Sequence, residues 1–210
     1  MFILALIVGG LSYLPVAEDA SSTQENPPGA PILIPTTAAQ RYDLITSAAE
    51  GVLFDIDGDG AREQISWTAA GAPLAFLAID KNGNGMIDDG TELFGGATVP
   101  GAQNGFIALS KLAGRKGPIR NTDPIFAQLL LWTDSNHDGL SQPGELQPFG
   151  NLYSEINTGY FGHRRRDGHG NLFRFGGTVV EKYEEQPERL SLEKRKAKTR
   201  RIYDVIFVQQ

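Results

Sequence analysis

LLLWTDSNHDGLSQPGEL, residues 129–146, is the stretch on which the reading of this chain turns. Counted from Asp134, oxygen-bearing side chains fall at positions 1 (Asp134), 3 (Asn136), 5 (Asp138) and 12 (Glu145), with Gly139 at 6. That is the spacing of a calcium loop of the EF-hand type. A hard cation takes roughly 6–8 oxygens at about 2.3–2.6 Å, and alternate residues of a tightly turning loop can converge on it. Glycine at 6 permits the positive φ of the turn, and a glutamate at 12 can close the shell with both oxygens.

Two further stretches repeat the pattern. GVLFDIDGDGAREQISW (51–67) places Asp55, Asp57 and Asp59 at 1, 3 and 5, Gly60 at 6 and Glu63 at 9. Apolar residues alternate before this loop (Val52, Phe54, Ile56) and after it (Ile65, Trp67), which predicts strand–loop–strand. FLAIDKNGNGMIDDGTELFG (76–95) gives Asp80, Asn82 and Asn84 at 1, 3 and 5 and Gly85 at 6, with Asp88 at 9 and Glu92 one place late at 13. Asp, Asn and Gly are also ordinary turn residues, so a single DGDG is as easily a surface hairpin. Three such loops between residues 55 and 145 make that explanation poor. A fourth loop has decayed. Counting back from Asp123 at 12, positions 1, 3 and 5 are Leu112, Gly114 and Lys116, which build no cation shell; Lys116 is expected to supply the charge itself.

Composition bounds the alternatives. The chain has 210 residues, no cysteine and three histidines, which excludes disulfides and thiolate metal sites and disfavours zinc. Residues 1–150 hold 17 acids and 7 bases (−10), whereas residues 151–210 hold 8 acids and 12 bases (+4), so the negative charge lies where the loops lie. The N-terminus runs apolar from Phe2 to Leu11, too short to span a bilayer but suited to a secretory signal. Residues 1–17 are therefore expected to be signal-like, and residues 18–40, rich in Pro, Ser, Thr and Ala, a linker to a domain over 41–210.

The ordered series FDIDGDGAREQISW, FLAIDKNGNGMIDDGTELFGG, NGFIAL and DPIFAQLLLWTDSNHDGLSQPGEL resembles a calcium-binding module of bacterial secreted proteins, found beside RTX (hemolysin-type) repeats and related to the RTX self-processing module. The resemblance spans roughly residues 51–165. It implies Ca²⁺ as the bound cofactor, folding that depends on it, and three ligand sets. These are Asp55, Asp57, Asp59 and Glu63; Asp80, Asn82, Asn84 and Glu92; and Asp134, Asn136, Asp138 and Glu145. Backbone carbonyls of Ala61, Met86 and Leu140 would complete them. Two departures stand out, namely the decayed segment 112–123 where the family has an acidic loop, and the absence of the RTX nonapeptide repeat. In that family an Asp-Pro bond just before the module is cleaved. The one Asp-Pro bond here, Asp123-Pro124, lies inside the module, and the expected role of Asp123 is to cap a helix that begins at Pro124.

The remaining pattern predicts an α+β domain. A buried strand is expected over 72–80, short helices over 104–112 and 124–132, and a C-terminal antiparallel sheet over 153–161, 171–183 and 202–209. In the second helix Ile125, Leu129 and Trp132 would share a face, and that helix would support the loop at 134–145. Because Leu140 rather than Ser141 is apolar, a solitary loop with Leu140 packed inward is expected. The basic stretches HRRRDGHG (163–170) and LEKRKAKTRR (192–201) read as charged solvated loops before they read as sites for nucleic acid, anionic lipid or acidic polymer.

The function expected is thus a secreted, non-enzymatic calcium-binding module with no transmembrane span and no nucleic-acid partner. The alternatives are a carboxylate-based hydrolase or self-processing module, and an adaptor for an extracellular protein or polysaccharide. No isolated acid in an apolar setting and no nucleophile motif favours the hydrolase. A propeller of repeated blades would need even spacing, yet the loops start 25 and 54 residues apart.

Overall fold

The computed structural model describes residues 30–182 and 198–210. The expected signal-like segment, most of the expected linker and residues 192–197 of the second basic stretch lie outside the described residues. Strands β1 (Ile32–Pro35), β2 (Val52–Phe54), β3 (Glu63–Ile65) and β4 (Leu74–Ala78) precede one α-helix, α1 (Gly105–Leu112). Then come β5 (Pro118–Arg120), β6 (Leu130–Trp132), β7 (Leu146–Pro148), β8 (Tyr153–Asn157), β9 (Phe161–Arg166), β10 (Leu172–Glu181) and β11 (Thr199–Ile206). Nine strands form one sheet in the order β5-β8-β10-β11-β1-β4-β6-β7, with β9 added beside β8 on the same edge of β10. All its pairings are antiparallel, and β2–β3 stands apart as a hairpin.

The α+β expectation is therefore corrected: among the described residues the fold is mainly β, a sheet curled into a half-barrel with 11% helix. Helix α1 forms where NGFIALSKL predicts one, started by Asn104, whose side chain accepts the Ile107 N–H at 2.9 Å. The second expected helix does not form. Pro124–Gln128 makes a single 3-10 turn, after which β6 pairs with β4 and β7. A short, unbroken apolar run suits a strand buried on both faces as well as a helix, and the sheet supplies two partners for it. Ile125 and Leu129 sit in one core and Trp132 in the other, not on one helical face.

The sheet is the middle layer. Alternation along its central strands sends Ile32, Ile34, Ala75, Leu77 and Leu131 toward α1 and the 3-10 turns. It sends Leu33, Leu74, Phe76 and Trp132 toward the β2–β3 hairpin, where Phe54 and Trp67 meet them. Residues 32–35, strand β1, lie within the linker expected over 18–40 and correct it. They are buried in the sheet between β11 and β4, and PILIP is a buried strand whose flanking prolines and threonines masked it.

One buried ion pair ties three elements. The register of β10 slips between Phe173 and Phe175, a bulge that turns Arg174 inward onto Asp204 of β11. Arg174 Nε donates to Asp204 Oδ1 at 2.9 Å, and the Gly105 N–H at the start of α1 donates to Oδ2 at 3.1 Å. Burial pushes the Asp204 carboxyl up to about 6, against the pull of the guanidinium and the Gly105 N–H. This is an acid in an apolar setting that reading the sequence did not find; with a guanidinium on it, it is structural. Removing one member of such a pair costs about 3–5 kcal/mol, whereas replacing both by apolar residues is far milder. Asp204→Ala should therefore lose that much unfolding free energy in urea titrations, and Asp204→Leu/Arg174→Leu distinctly less.

Candidate metal-binding loops

The three loops share one backbone frame, built by the aspartate at position 1. Asp55 Oδ1 accepts the Gly58 N–H at 2.7 Å and Oδ2 accepts the Gly60 N–H at 2.9 Å. Asp80 takes Gly83 and Gly85 at 2.7 and 2.9 Å, and Asp134 takes His137 and Gly139 at 2.7 and 2.8 Å. The chain curls because one carboxylate collects N–H groups three and five residues ahead, which otherwise have no partner in a loop. That curl needs left-handed residues. Gly58, Gly60, Gly83, Gly85 and Gly139 supply them, and His137 adopts φ 63° in the third loop.

Positions 3 and 5 continue the frame by accepting the N–H two residues on. Asp57 takes Asp59, Asp59 takes Ala61, Asn82 takes Asn84, Asn84 takes Met86, and Asp138 takes Leu140, at 2.8–3.2 Å. The closing acids also act alike, although they come at positions 9, 13 and 12. Each accepts the N–H of position 2: Glu63 from Ile56 (3.4 Å), Glu92 from Lys81 (2.8 Å) and Glu145 from Ser135 (2.8 Å). Glu92 also accepts Asp88 N–H at 3.0 Å, so its late position is absorbed by the 3-10 turn Gly90–Glu92.

Position 9 contributes in the second and third loops as well, through Asp88 and Gln142, which lie outside the expected ligand sets. Asp88 Oδ2 accepts from the side-chain amides of Asn82 and Asn84, both at 2.7 Å. Gln142, the equivalent residue of the third loop, donates to Asp138 and accepts from Asn136 at 3.2 Å. Glu63 combines this position with the closing role. In consequence Asp55, Asp57 and Glu63 each offer a carboxylate oxygen within 4.8 Å of the others. Ligands on opposite sides of a calcium ion stand roughly 4.6–5.2 Å apart, twice the Ca–O distance, so this spacing fits one ion.

Strands hold all three loops in place. The first spans the β2–β3 hairpin and the third spans β6–β7, while the second is closed by an Ala78–Leu93 bridge. The β2–β3 hairpin touches both of the others. The Gly90 N–H donates to the Asp55 carbonyl at 2.7 Å, and Gly139 lies so close to Val52 that a Cβ there would stand 3.0 Å from its side chain. The third loop is wired into the core by indoles. Trp67 Nε1 donates to Asp134 at 2.8 Å and Trp132 Nε1 lies 3.4 Å from Glu145, while the His137 ring nitrogens sit 2.6 and 2.7 Å from the Thr68 and Glu50 carbonyl oxygens.

Several residue-level expectations change. Leu140 does not pack inward; it is 43% exposed, and Ser141 at position 8 is the buried residue. The side chains of Met86 and Ala61, expected to offer only their backbone carbonyls, are exposed, with Ile87 turned into the core. The support of the third loop is strand β6 and not a helix. In the decayed segment the charge comes from Arg115 rather than Lys116. Its Nη1 donates to Asp123 at 2.8 Å, and the Arg120 N–H donates to the other carboxylate oxygen at 2.8 Å. Asp123 precedes Pro124 at a 3-10 turn but caps nothing with its side chain. Residues 163–166 of the first basic stretch belong to edge strand β9, and only 167–170 form the turn.

A family model described as the SPM domain matches residues 43–207. The chain belongs to that family. It is also similar to the iron-regulated protein FrpA of Neisseria meningitidis serogroup C, with 37% identity over 136 residues, which are 62% of this chain and 12% of that protein. The SPM chain thus spans a small part of the length of this relative. Among its described residues, no helix is long and apolar enough to cross a membrane.

The Arg120 N–H and the Arg115 guanidinium hold the Asp123 carboxyl below the usual carboxylate range. Arg115→Ala should shift its titration upward, as read by carboxyl ¹³C NMR.

Proposed function

We propose that this SPM domain is a non-enzymatic calcium-binding module of an exported protein, with ions at 55–63, 80–92 and 134–145. The observation that carries the reading is the frame repeated in all three loops; in the first it gathers carboxylate oxygens of Asp55, Asp57 and Glu63 within 4.8 Å of one another, without Asp59. Calcium takes such oxygen sets with adaptable geometry, whereas zinc would prefer nitrogen or sulfur. Without a cation, grouped carboxylates repel one another; a bound ion removes that repulsion, so binding and folding should be coupled. Asn82, Asn84 and Asn136 reduce the repulsion further by replacing charge with amide oxygens. The RTX resemblance of the loop series supports an extracytoplasmic setting. Asp123 supports a structural role over a self-processing one, because its carboxylate is already held by Arg115 and Arg120.

The test is calorimetric calcium titration of the full chain, with tryptophan fluorescence followed in parallel. Both tryptophans, Trp67 and Trp132, point their indole N–H groups at acids of the third loop. Three ions are expected, with Kd on the order of 10⁻⁵–10⁻³ M, the weaker range of extracellular modules. Glu145→Gln should remove one binding event together with the fluorescence change. Glu63→Gln should remove one event and leave the fluorescence change. Absence of any saturable calcium heat up to 20-fold above that range, or unchanged stoichiometry in both variants, would refute the reading.

A further inference from the structure

A second feature lies apart from the loops. The segment around Gln40–Asp43, the β9–β10 hairpin and β11 enclose a cleft of about 580 Å³, within the size range of small-molecule sites. One wall is aromatic. Tyr42, Phe173 and Tyr203 pack edge to face, with centroids 5.8, 4.9 and 5.6 Å apart, and the His163 ring lies 4.7 Å from Tyr203. The Tyr42 hydroxyl donates to the Arg201 carbonyl at 2.7 Å, which fixes this wall to β11. The other wall is polar, formed by Arg165 and Arg166 of β9 with Asp43 and Asp167. Arg166 is oriented by its bond to the Gly170 carbonyl at 2.6 Å, Asp43 is gripped by Arg41, and Asp167 caps the turn through the His169 and Asn171 N–H groups.

This combination restricts the ligand. Apolar rings call for a flat apolar face, and the guanidinium groups call for an anion. Asp43 is already neutralised by Arg41, so Asp167 alone offsets Arg165 and Arg166, and the one positive charge left over suits a ligand with a single negative charge. Burial, then Arg165 and Arg201, hold His163 below the ordinary imidazole value, so at pH 7 it is a neutral ring with one donor and one acceptor for hydroxyls.

We propose that this cleft binds a monoanionic acidic sugar, a hexuronic acid unit. Its C–H face lies on the aromatic wall and its carboxylate on Arg165 and Arg166. The site is independent of the calcium loops, and its test is run on calcium-saturated full chain, so that failure here leaves the calcium reading standing. The probes are methyl α-D-galactopyranosiduronate and its neutral counterpart, methyl α-D-galactopyranoside, with ADP as the phosphate comparison. Titration followed by ¹H–¹⁵N NMR should show saturable shifts in residues 161–176 and at Tyr203 for the uronate, with Kd on the order of a millimolar, as suits a ligand of this size. Arg165→Gln should weaken uronate binding on the order of tenfold, the loss of one charge-assisted hydrogen bond, while amide signals of the three loops stay in place. Tyr203→Leu should weaken it without removing charge. No saturable shift, equal binding of the neutral glycoside, full affinity in Arg165→Gln, or tighter binding of ADP would each overturn the proposal.

Discussion

Everything in the acidic half of this chain depends on one interaction made three times, a leading aspartate that captures the backbone N–H groups three and five residues ahead. Asp55, Asp80 and Asp134 each do so with nearly equal distances. The carboxylate curls the loop, the curl turns positions 3, 5 and 9 toward one another, and the closing glutamate locks position 2. Because the leading carboxylates of the first and third loops are buried, the curl is part of the folded core and not an appendage.

The sheet explains why these are strand-bound loops and not helix-bound ones. Two of them join paired strands, and the third is closed by a bridge, so each is a long hairpin connection. The β2–β3 hairpin lies over the aromatic face of the sheet and touches both other loops. Ordering one loop should therefore favour ordering the rest through Phe54, Trp67, Phe76 and Trp132, whose rings lie 4.3–5.7 Å apart. In the decayed segment an arginine stands where a cation would. Arg115 on Asp123 keeps that turn closed with a covalently attached charge.

Much of the site was legible in the sequence, because its determinants are local. Position 1, 3 and 5 oxygens, the glycine at 6 and the strand alternation around 55–63 all lie within a dozen residues of one another. The pairing of Asp88 and Gln142 with positions 3 and 5 follows from the same numbering, since each stands at position 9. The misreadings were tertiary. LLLW could not reveal that β4 and β7 were waiting on either side of it, and PILIP was hidden among linker-like residues. Leu140 is exposed and Ser141 buried, next to Gly139, whose backbone lies so close to Val52 that a Cβ there would stand 3.0 Å from its side chain. Asp204 gave no local sign at all. Its partner is 30 residues away across a bulge.

The central claim is that calcium and the fold are one equilibrium, and thermal unfolding measures it most directly. Circular dichroism melts of the full chain should be recorded in calcium at about 100 times the calorimetric Kd and in excess chelator. A ligand held at about 100 times its Kd adds about 2.7 kcal/mol to the folded state. For a domain of this size that corresponds to a midpoint roughly 5–10 °C higher per occupied loop. The account predicts a loss of at least that size on chelation, reversed by added calcium. Superimposable melting curves in the two buffers would contradict it.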